Sequence, residues 1–208
     1  MKILKNFKVI LWDFDGVILD SMPIRSLGFK KVLEDYPEEQ VKQLLDYHEE
    51  NGGLSRYVKL KYFFENIRGE SISDELLAKL TNDFSKIMLS LLIDEKLLIS
   101  NSVNFIKNNY NNYVMHIVSG SDGKELNIIC EELNLKKYFK SILGSPTPKI
   151  KLVEQIITEN AYSKNDMLLI GDSINDFEAS KANDITFIGY NNPKIRDLSY
   201  YMDSFENA

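Results

Sequence analysis

"ILWDFDGVILDS" (residues 10–21) carries an apolar run straight into Asp13 and Asp15, one residue apart, with Gly16 directly behind them. A continuous apolar run suits a strand covered on both faces rather than one that alternates between core and solvent. Side chains two apart in a strand point the same way, so Asp13 and Asp15 are expected to project together from the carboxyl end of a first strand. Two close carboxylates repel, and one tends to hold a proton unless a cation lies between them. The pair therefore reads as a metal site, as an acid–base pair, or as a plain strand-end turn at Asp15-Gly16.

Working outward, the same kind of run recurs at 113–119, 166–172 and 185–190, and more weakly at 140–145. Helical patterns lie between these runs, at about 101–111, 122–136, 149–160 and 174–182. Strands alternating with helices predict a parallel α/β sheet, Rossmann-like, with ligands at the carboxyl ends of its strands. Residues 20–94 break the alternation. "SLGFKKVLEDY", "EEQVKQLLDYHEEN", "LSRYVKLKYFFENI" and "SDELLAKLTNDFSKIMLSLL" all read as amphipathic helices, punctuated by Pro37, Gly52-Gly53 and an N-cap at Ser73. The expected architecture is an α/β core formed by 1–19 and 95–208, with an all-helical cap inserted at 20–94.

Three more strand ends carry polar groups. In "LLIGDSINDFEAS" (168–180) an apolar strand ends at Gly171-Asp172, and Asp176 follows in the first turn of the next helix. There it could simply complement the helix dipole. In a parallel sheet, however, Asp172 shares an edge with Asp13. Several carboxylates converging there call for a hard cation, and oxygen donors suit Mg²⁺. In "HIVSGSDG" (116–123), Ser119, Gly120 and Ser121 precede a helix, so a hydroxyl and free N–H groups could hold an anion or form an ordinary helix-entry turn. In "GSPTPKIKLVEQII" (144–157), Lys149 opens a helix, a position the dipole disfavours unless the lysine faces an anion; Lys151 competes for that role.

Composition narrows the classes. The chain has 208 residues, 44% hydrophobic and 27% charged, with a net charge of -6, so it is globular and has material for a sizeable core. The acidic balance argues against nucleic acid as a partner. The one cysteine, Cys130, sits at helical spacing with Leu126, Ile129 and Leu133 and reads as a core thiol in a reducing compartment. The N-terminal stretch is too short and too charged for a signal peptide or membrane span, so a cytoplasmic location with no membrane partner is expected.

Taken in order, "DFDGVILDS", "VSGS", "PK" and "GDSIND" resemble the four motifs of the haloacid dehalogenase superfamily of phosphohydrolases. The insert resembles the helical C1-type cap of phosphoglycolate phosphatase-like and β-phosphoglucomutase-like members. The resemblance implies that Asp13 is the nucleophile, forming an aspartyl-phosphate, and that Asp15 is general acid and then general base. It implies Mg²⁺ held by Asp13, the Asp15 backbone carbonyl and Asp172, with Asp176 binding through water or orienting the shell. It also implies that Ser119, Gly120 and Lys149 bind the transferring phosphoryl group. In the cap, "GLSR" (53–56) resembles a loop that holds a second phosphate in the mutases, which brings in Arg56 and the nearby Lys59. Arg25 stands where those mutases carry a histidine; an arginine cannot share protons at neutral pH but can bind an anion. His48 reads as a surface residue, with a substrate contact as the alternative. The implied activity is a Mg²⁺-dependent phosphomonoesterase acting on a small phosphorylated metabolite, a sugar phosphate or small phospho-acid, as a monomer or homodimer. A sugar phosphomutase, a non-catalytic phospho-ligand sensor and a dehalogenase are the alternatives; Asp15 and the Gly171–Asp176 acids favour phosphoryl chemistry over the last.

Overall fold

The computed structural model describes residues 2–206. Its strands are β1 (Val9–Trp12), β2 (Val114–Asp122), β3 (Ser141–Ser145), β4 (Met167–Gly171), β5 (Thr186–Tyr190) and β6 (Tyr200–Met202). They form one parallel sheet in the order β3-β2-β1-β4-β5-β6. All five expected strands are present. The sixth, β6, was not anticipated: its three residues are too few for a periodicity to register, and it forms by pairing with β5 at the sheet edge.

The helices fall into two sets. In the core, α5 (Ser100–Asn109), α6 (Gly123–Glu132), α7 (Lys149–Asn160) and α8 (Ile174–Ala182) connect the strands. Between β1 and α5 lie α1 (Met22–Val32), α2 (Glu38–Glu50), α3 (Arg56–Tyr62) and α4 (Asp74–Leu92). Ser73 caps α4 by accepting from Leu76 N–H at 3.2 Å. The expected third insert helix is divided: α3 widens into a π-helical segment at Phe63–Arg68, which Gly69 ends at a φ of 69°. That left-handed conformation costs glycine little and other residues more.

The period-two geometry of β1 sorts the interior. Ile10 and Trp12 join one apolar cluster, Val9 and Leu11 the other. The first cluster continues through Phe14, Val17 and Leu19 into the insert, where Phe29, Leu44, Phe63, Phe84 and Met88 are buried. The two strands of chain that join insert to sheet run side by side. Asp20 N–H donates to Leu97 O at 2.8 Å and Ile99 N–H to Ile18 O at 2.9 Å, while Leu19 and Leu98 form an antiparallel bridge.

Strand register fixes the active edge. Trp12 lies level with Ile117 on one side and Ile170 on the other. One or two residues further along each chain come Asp13, Ser119 and Asp172, so parallel pairing alone delivers all three to one carboxyl edge.

Candidate active site

The sheet side of the site is built on that edge. Asp13, Asp172 and Asp176 each present a carboxylate oxygen, and these oxygens lie within 4.8 Å of one another. Asp13 Oδ1 accepts from Phe14 N–H at 2.7 Å and from Lys149 Nζ at 3.0 Å, which fixes the carboxylate plane. Lys149 also donates to Asp176. Asp176 does serve the helix start: its Oδ2 accepts from Ser173 N–H at 3.1 Å in a capping box at the head of α8. Capping and membership of the acidic cluster are therefore compatible in one side chain. Lys149, not Lys151, reaches the cluster; Lys151 is exposed and pairs with Glu154 at 2.7 Å.

Charge is out of balance here. Burial, reinforced by the Asp176 charge and only partly offset by Lys149, pushes the Asp13 carboxyl up to about 8. Burial and the charges of Asp13 and Asp176 likewise push Asp172 well above the usual carboxylate range. Lys149 is raised: burial opposes its charge, but Asp13 and Asp176 outweigh that. Three acids beside one ammonium either hold protons or take up another cation, and an all-oxygen donor set fits a hard divalent ion such as Mg²⁺. The Asp15 carboxylate lies outside the cluster and faces the insert, so any role for Asp15 toward a metal falls to its backbone carbonyl.

Glycines make this convergence possible. Gly16 sits at a φ of 74°, and a Cβ there would fall 2.0 Å from Asp172 Oδ2. Gly120 lies beneath the Gly52-Gly53 loop of the insert; a Cβ on it would meet Gly53 O at 2.3 Å. The bare Cα of Gly120 thus lets the insert backbone at Gly53 close directly over the Ser119–Ser121 end of β2. Ser119 is buried and accepts from Ser121 N–H at 3.1 Å.

The insert side is built from arginines. Arg25, on α1, donates through Nε to Asp15 Oδ1 at 3.0 Å and through Nη1 to Glu125 Oε1 at 2.6 Å. Arg56, at the start of α3, donates to Glu125 Oε2 at 2.6 Å, to Ser85 Oγ at 2.7 Å and to Thr81 O at 3.4 Å, with its guanidinium 4.5 Å from the Phe84 ring centre. Ser21 and Ser121 also donate to Asp15. Burial would raise the Asp15 carboxyl, but Arg25 and the two hydroxyls hold it below the usual range. Glu125, Ser21 and Ser121 were not singled out as side chains from sequence. Glu125 reads there as an acid in the first turn of α6, an ordinary dipole partner, and only the closure of the insert over the sheet reveals its two arginines.

His48 is not at the surface as expected. It is 2% exposed, packs edge-on against Phe29, and its Nδ1 lies 2.8 Å from Lys59 Nζ. Helical spacing does put it on the buried face, seven residues after Val41 and four after Leu44; what the sequence does not show is the Lys59 partner that accompanies its burial. Lys59, itself buried, also donates to Gly52 O at 3.1 Å. A small cavity of about 30 Å³ between insert and sheet is lined by Asp13, Asp15, Arg25, His48, Lys59 and Asp172 among others. Cys130 is buried, as read from its spacing.

A parallel Rossmann-like sheet with four polar strand ends and a helical insert after its first strand defines a class of hydrolase. Residues 10–190 match the family of haloacid dehalogenase-like hydrolases, and the chain belongs to that family. It is 24% identical over 194 residues to a phosphoglycolate phosphatase of Vibrio parahaemolyticus, covering 85% of this chain and 80% of that protein. Among solved structures, CbbY from Rhodobacter sphaeroides, determined with xylulose-(1,5)bisphosphate, superposes with a TM-score of 0.77 at 12% identity, covering 97% and 96% of the two chains. A β-phosphoglucomutase from Clostridium difficile gives 0.73 at 17% identity, covering 95% and 91%. These two likenesses are of fold. No helix among the described residues is long and apolar enough to cross a membrane.

Proposed function

We propose that the protein is a Mg²⁺-dependent phosphomonoesterase that transfers the phosphoryl group of a small metabolite to Asp13 and then to water. The observation that carries this reading is the cluster of Asp13, Asp172 and Asp176 around the single ammonium of Lys149 at the carboxyl edge of the sheet. A bound Mg²⁺ would supply the missing positive charge and polarise the phosphoryl oxygens. The relationship to a phosphoglycolate phosphatase supports a monoester substrate.

The roles follow from position. Asp13, its carboxylate held by Phe14 N–H and Lys149, attacks phosphorus in line; the bond to the leaving oxygen breaks with its electron pair, and that oxygen takes a proton. Lys149 and Ser119–Gly120 near the end of β2 bind the phosphoryl oxygens. Water then attacks the aspartyl-phosphate, loses a proton, and releases inorganic phosphate with Asp13 restored. Asp15 is the proton carrier for both halves. With Arg25 against it, Asp15 is ionised and fitted to take the proton from water. Donating a proton to the leaving oxygen requires that contact to loosen, which motion of α1 with the rest of the insert supplies. On this reading residues 20–94 are a cap that moves as a unit, and the paired crossings near Asp20 and Leu97 are its hinges.

Asp13→Asn tests the assignment. Release of p-nitrophenol from p-nitrophenyl phosphate in Mg²⁺ should fall by about 10⁴-fold or more, as expected when a nucleophile is removed; undiminished turnover would sink it. A mutase would instead isomerise a sugar phosphate faster than it frees phosphate and would be activated by a bisphosphate.

A further inference from the structure

β5 contributes no acid to the cluster, yet it ends in two amides that hold the strands which do. Asn191 and Asn192 follow its last residue, Tyr190, and each reaches to a different acid-bearing strand. Asn191 Nδ2 donates to Gly16 O at 2.8 Å, directly behind Asp15 at the end of β1. Asn192 Nδ2 donates to Asp172 O at 2.7 Å, just past the end of β4. Backbone pairing between β4 and β5 stops at Gly171 and Gly189. Among the described residues no backbone N–H donates to either carbonyl, so the two side chains extend the ladder past the point where the backbone leaves it.

These two carbonyls matter because of what they carry. Gly16 lies against the Asp172 carboxylate, so closely that a Cβ on it would clash. Its own N–H donates to Leu19 O at 2.8 Å and closes the turn that leads from Asp15 to the crossing at Asp20. A tie on Gly16 O therefore fixes the Asp15 turn relative to β4. A tie on Asp172 O fixes the backbone from which the Asp172 carboxylate reaches toward Asp13 and Asp176. Strand pairing sets positions only as far as Trp12 and Gly171. The amides set them a few residues further on, where the acids stand.

Residue type separates this role from that of a plain turn. Asn191 has a φ of 57°. Glycine adopts that left-handed conformation most readily, and asparagine is among the few other residues that do. A turn alone would be served by glycine; asparagine adds a donor. Asn192 uses both ends of its amide. Its Oδ1 accepts from Lys194 N–H at 3.1 Å and caps the short turn Pro193–Ile195, while Nδ2 holds Asp172. Serine or aspartate could cap that turn, but neither has an amide N–H to offer Asp172. We propose that Asn191 and Asn192 are positioning residues, a clamp from β5 that sets the Asp15 turn and Asp172 in place for the reaction and itself touches neither substrate nor metal. The inference rests on the phosphomonoesterase reading above and adds to it two residues outside the acidic cluster.

The test replaces each amide in the full chain with a residue that suits the local backbone and lacks the donor: Asn191→Gly at the positive φ and Asn192→Ser at the cap. In chelator both variants should melt within about 4 °C of the parent, the shift for one lost hydrogen bond in a chain of this size. Calorimetric titration with Mg²⁺ should show Asn192→Ser binding about 10-fold more weakly, as expected when the support of a metal ligand is removed. With Mg²⁺ saturating, Asn191→Gly should lower kcat for p-nitrophenyl phosphate by about 3- to 10-fold at unchanged KM, the mark of an interaction that acts in the transition state. Parental kcat in Asn191→Gly, or parental Mg²⁺ affinity in Asn192→Ser, would overturn the clamp. So would losses accompanied by melting far below the parent, because the amides would then support the fold and not the site. If the clamp failed while the parent still hydrolysed p-nitrophenyl phosphate, the phosphomonoesterase reading would survive without it. If the parent released phosphate from no ester while Asn192→Ser still lost Mg²⁺ affinity, the positioning of Asp172 would stand and that reading would fall.

Discussion

On the sheet side of the cleft, Asp13, Asp172 and Asp176 share one ammonium, that of Lys149; on the cap side, Arg25, Arg56 and Lys59 share two carboxylates, those of Asp15 and Glu125. One wall is short of positive charge and the other of negative. Neither can correct this from solvent, because Asp13, Arg25, Lys59 and Lys149 are all buried. On the proposed function, a metal on the first wall and an anionic substrate between the two would supply what each lacks. Empty, each wall holds buried charge without a partner; a divalent cation would offset the deficit of the sheet wall, and negative charge on a ligand the surplus of the cap wall. If residues 20–94 move as the proposed cap, this difference would favour closure with a ligand bound over closure without one.

The cap wall can be broken at Glu125. Glu125→Gln removes the one carboxylate that serves two buried guanidiniums, and opening a buried pair in this way costs about 3–5 kcal/mol. Chemical denaturation should show that loss, and an Arg56→Met change made on top of it should cost less than it does alone. Additive costs would mean that the two residues do not share a network.

The sheet wall is sharpened by Asp172→Asn. Removing one of three carboxylates should weaken Mg²⁺ binding by roughly 10- to 100-fold, a loss typical of disturbing a metal site. It should also make the metal-free protein no less stable than the parent, because it relieves repulsion with Asp13 and Asp176. Titration with Mg²⁺ and thermal melts in chelator read the two effects separately; a metal-free variant melting well below the parent would contradict the charge imbalance.

Acid compares the two regions through their histidines, His48 in the cap and His116 in the core. Burial, with Lys59 and Arg25 beside it, lowers His48 from the usual 6.5 to about 3; burial, with Lys140 nearby, lowers His116 to about 4. The unfolded chain takes up these protons below about 6.5 while the native state refuses them. Stability is therefore whole above that pH and lost as pH falls toward 4 and then 3. For His48 the slope is at most about 1.4 kcal/mol per pH unit. Urea midpoints between neutrality and pH 5 should fall in the parent and fall less steeply in His48→Gln, where His116 alone keeps its share of the slope; an unchanged slope in that variant would show that His48 titrates freely.

The smallest effect is expected at Lys151. Its pair with Glu154 is exposed on α7, so Lys151→Gln should change stability by less than about 0.5 kcal/mol and turnover by less than about twofold. Loss of activity there, with Lys149→Gln harmless, would reverse their assignment.

Much of the sheet side was legible before any coordinates. Five apolar runs, each bounded by turn residues, gave five of the six strands, and the strand-to-helix alternation gave their parallel sense. Two strands ending in acids, one in Ser119-Gly120 and one helix opening on Lys149 gave the site. The cap side was legible only as helices. "GLSR" points to Arg56, which does line the cleft, but its pairing with Glu125, some seventy residues away in sequence, has no local pattern to reveal it. His48 continues the stripe of Val41 and Leu44, but a polar ring at that spacing gives no local sign that it is buried.

The sequence by itself determined the parallel sheet, the helical insert and the identity of the acids at the sheet edge. Those follow from local periodicity and from the register of neighbouring strands, which carry residues of fixed spacing to one edge. Only the tertiary structure decided which charges neutralise one another across the cleft: Glu125 with two arginines, Lys149 with two aspartates, Lys59 with none. Ion pairing depends on distances between segments that share no local pattern, and a buried charge has no solvent to stand in for a missing partner.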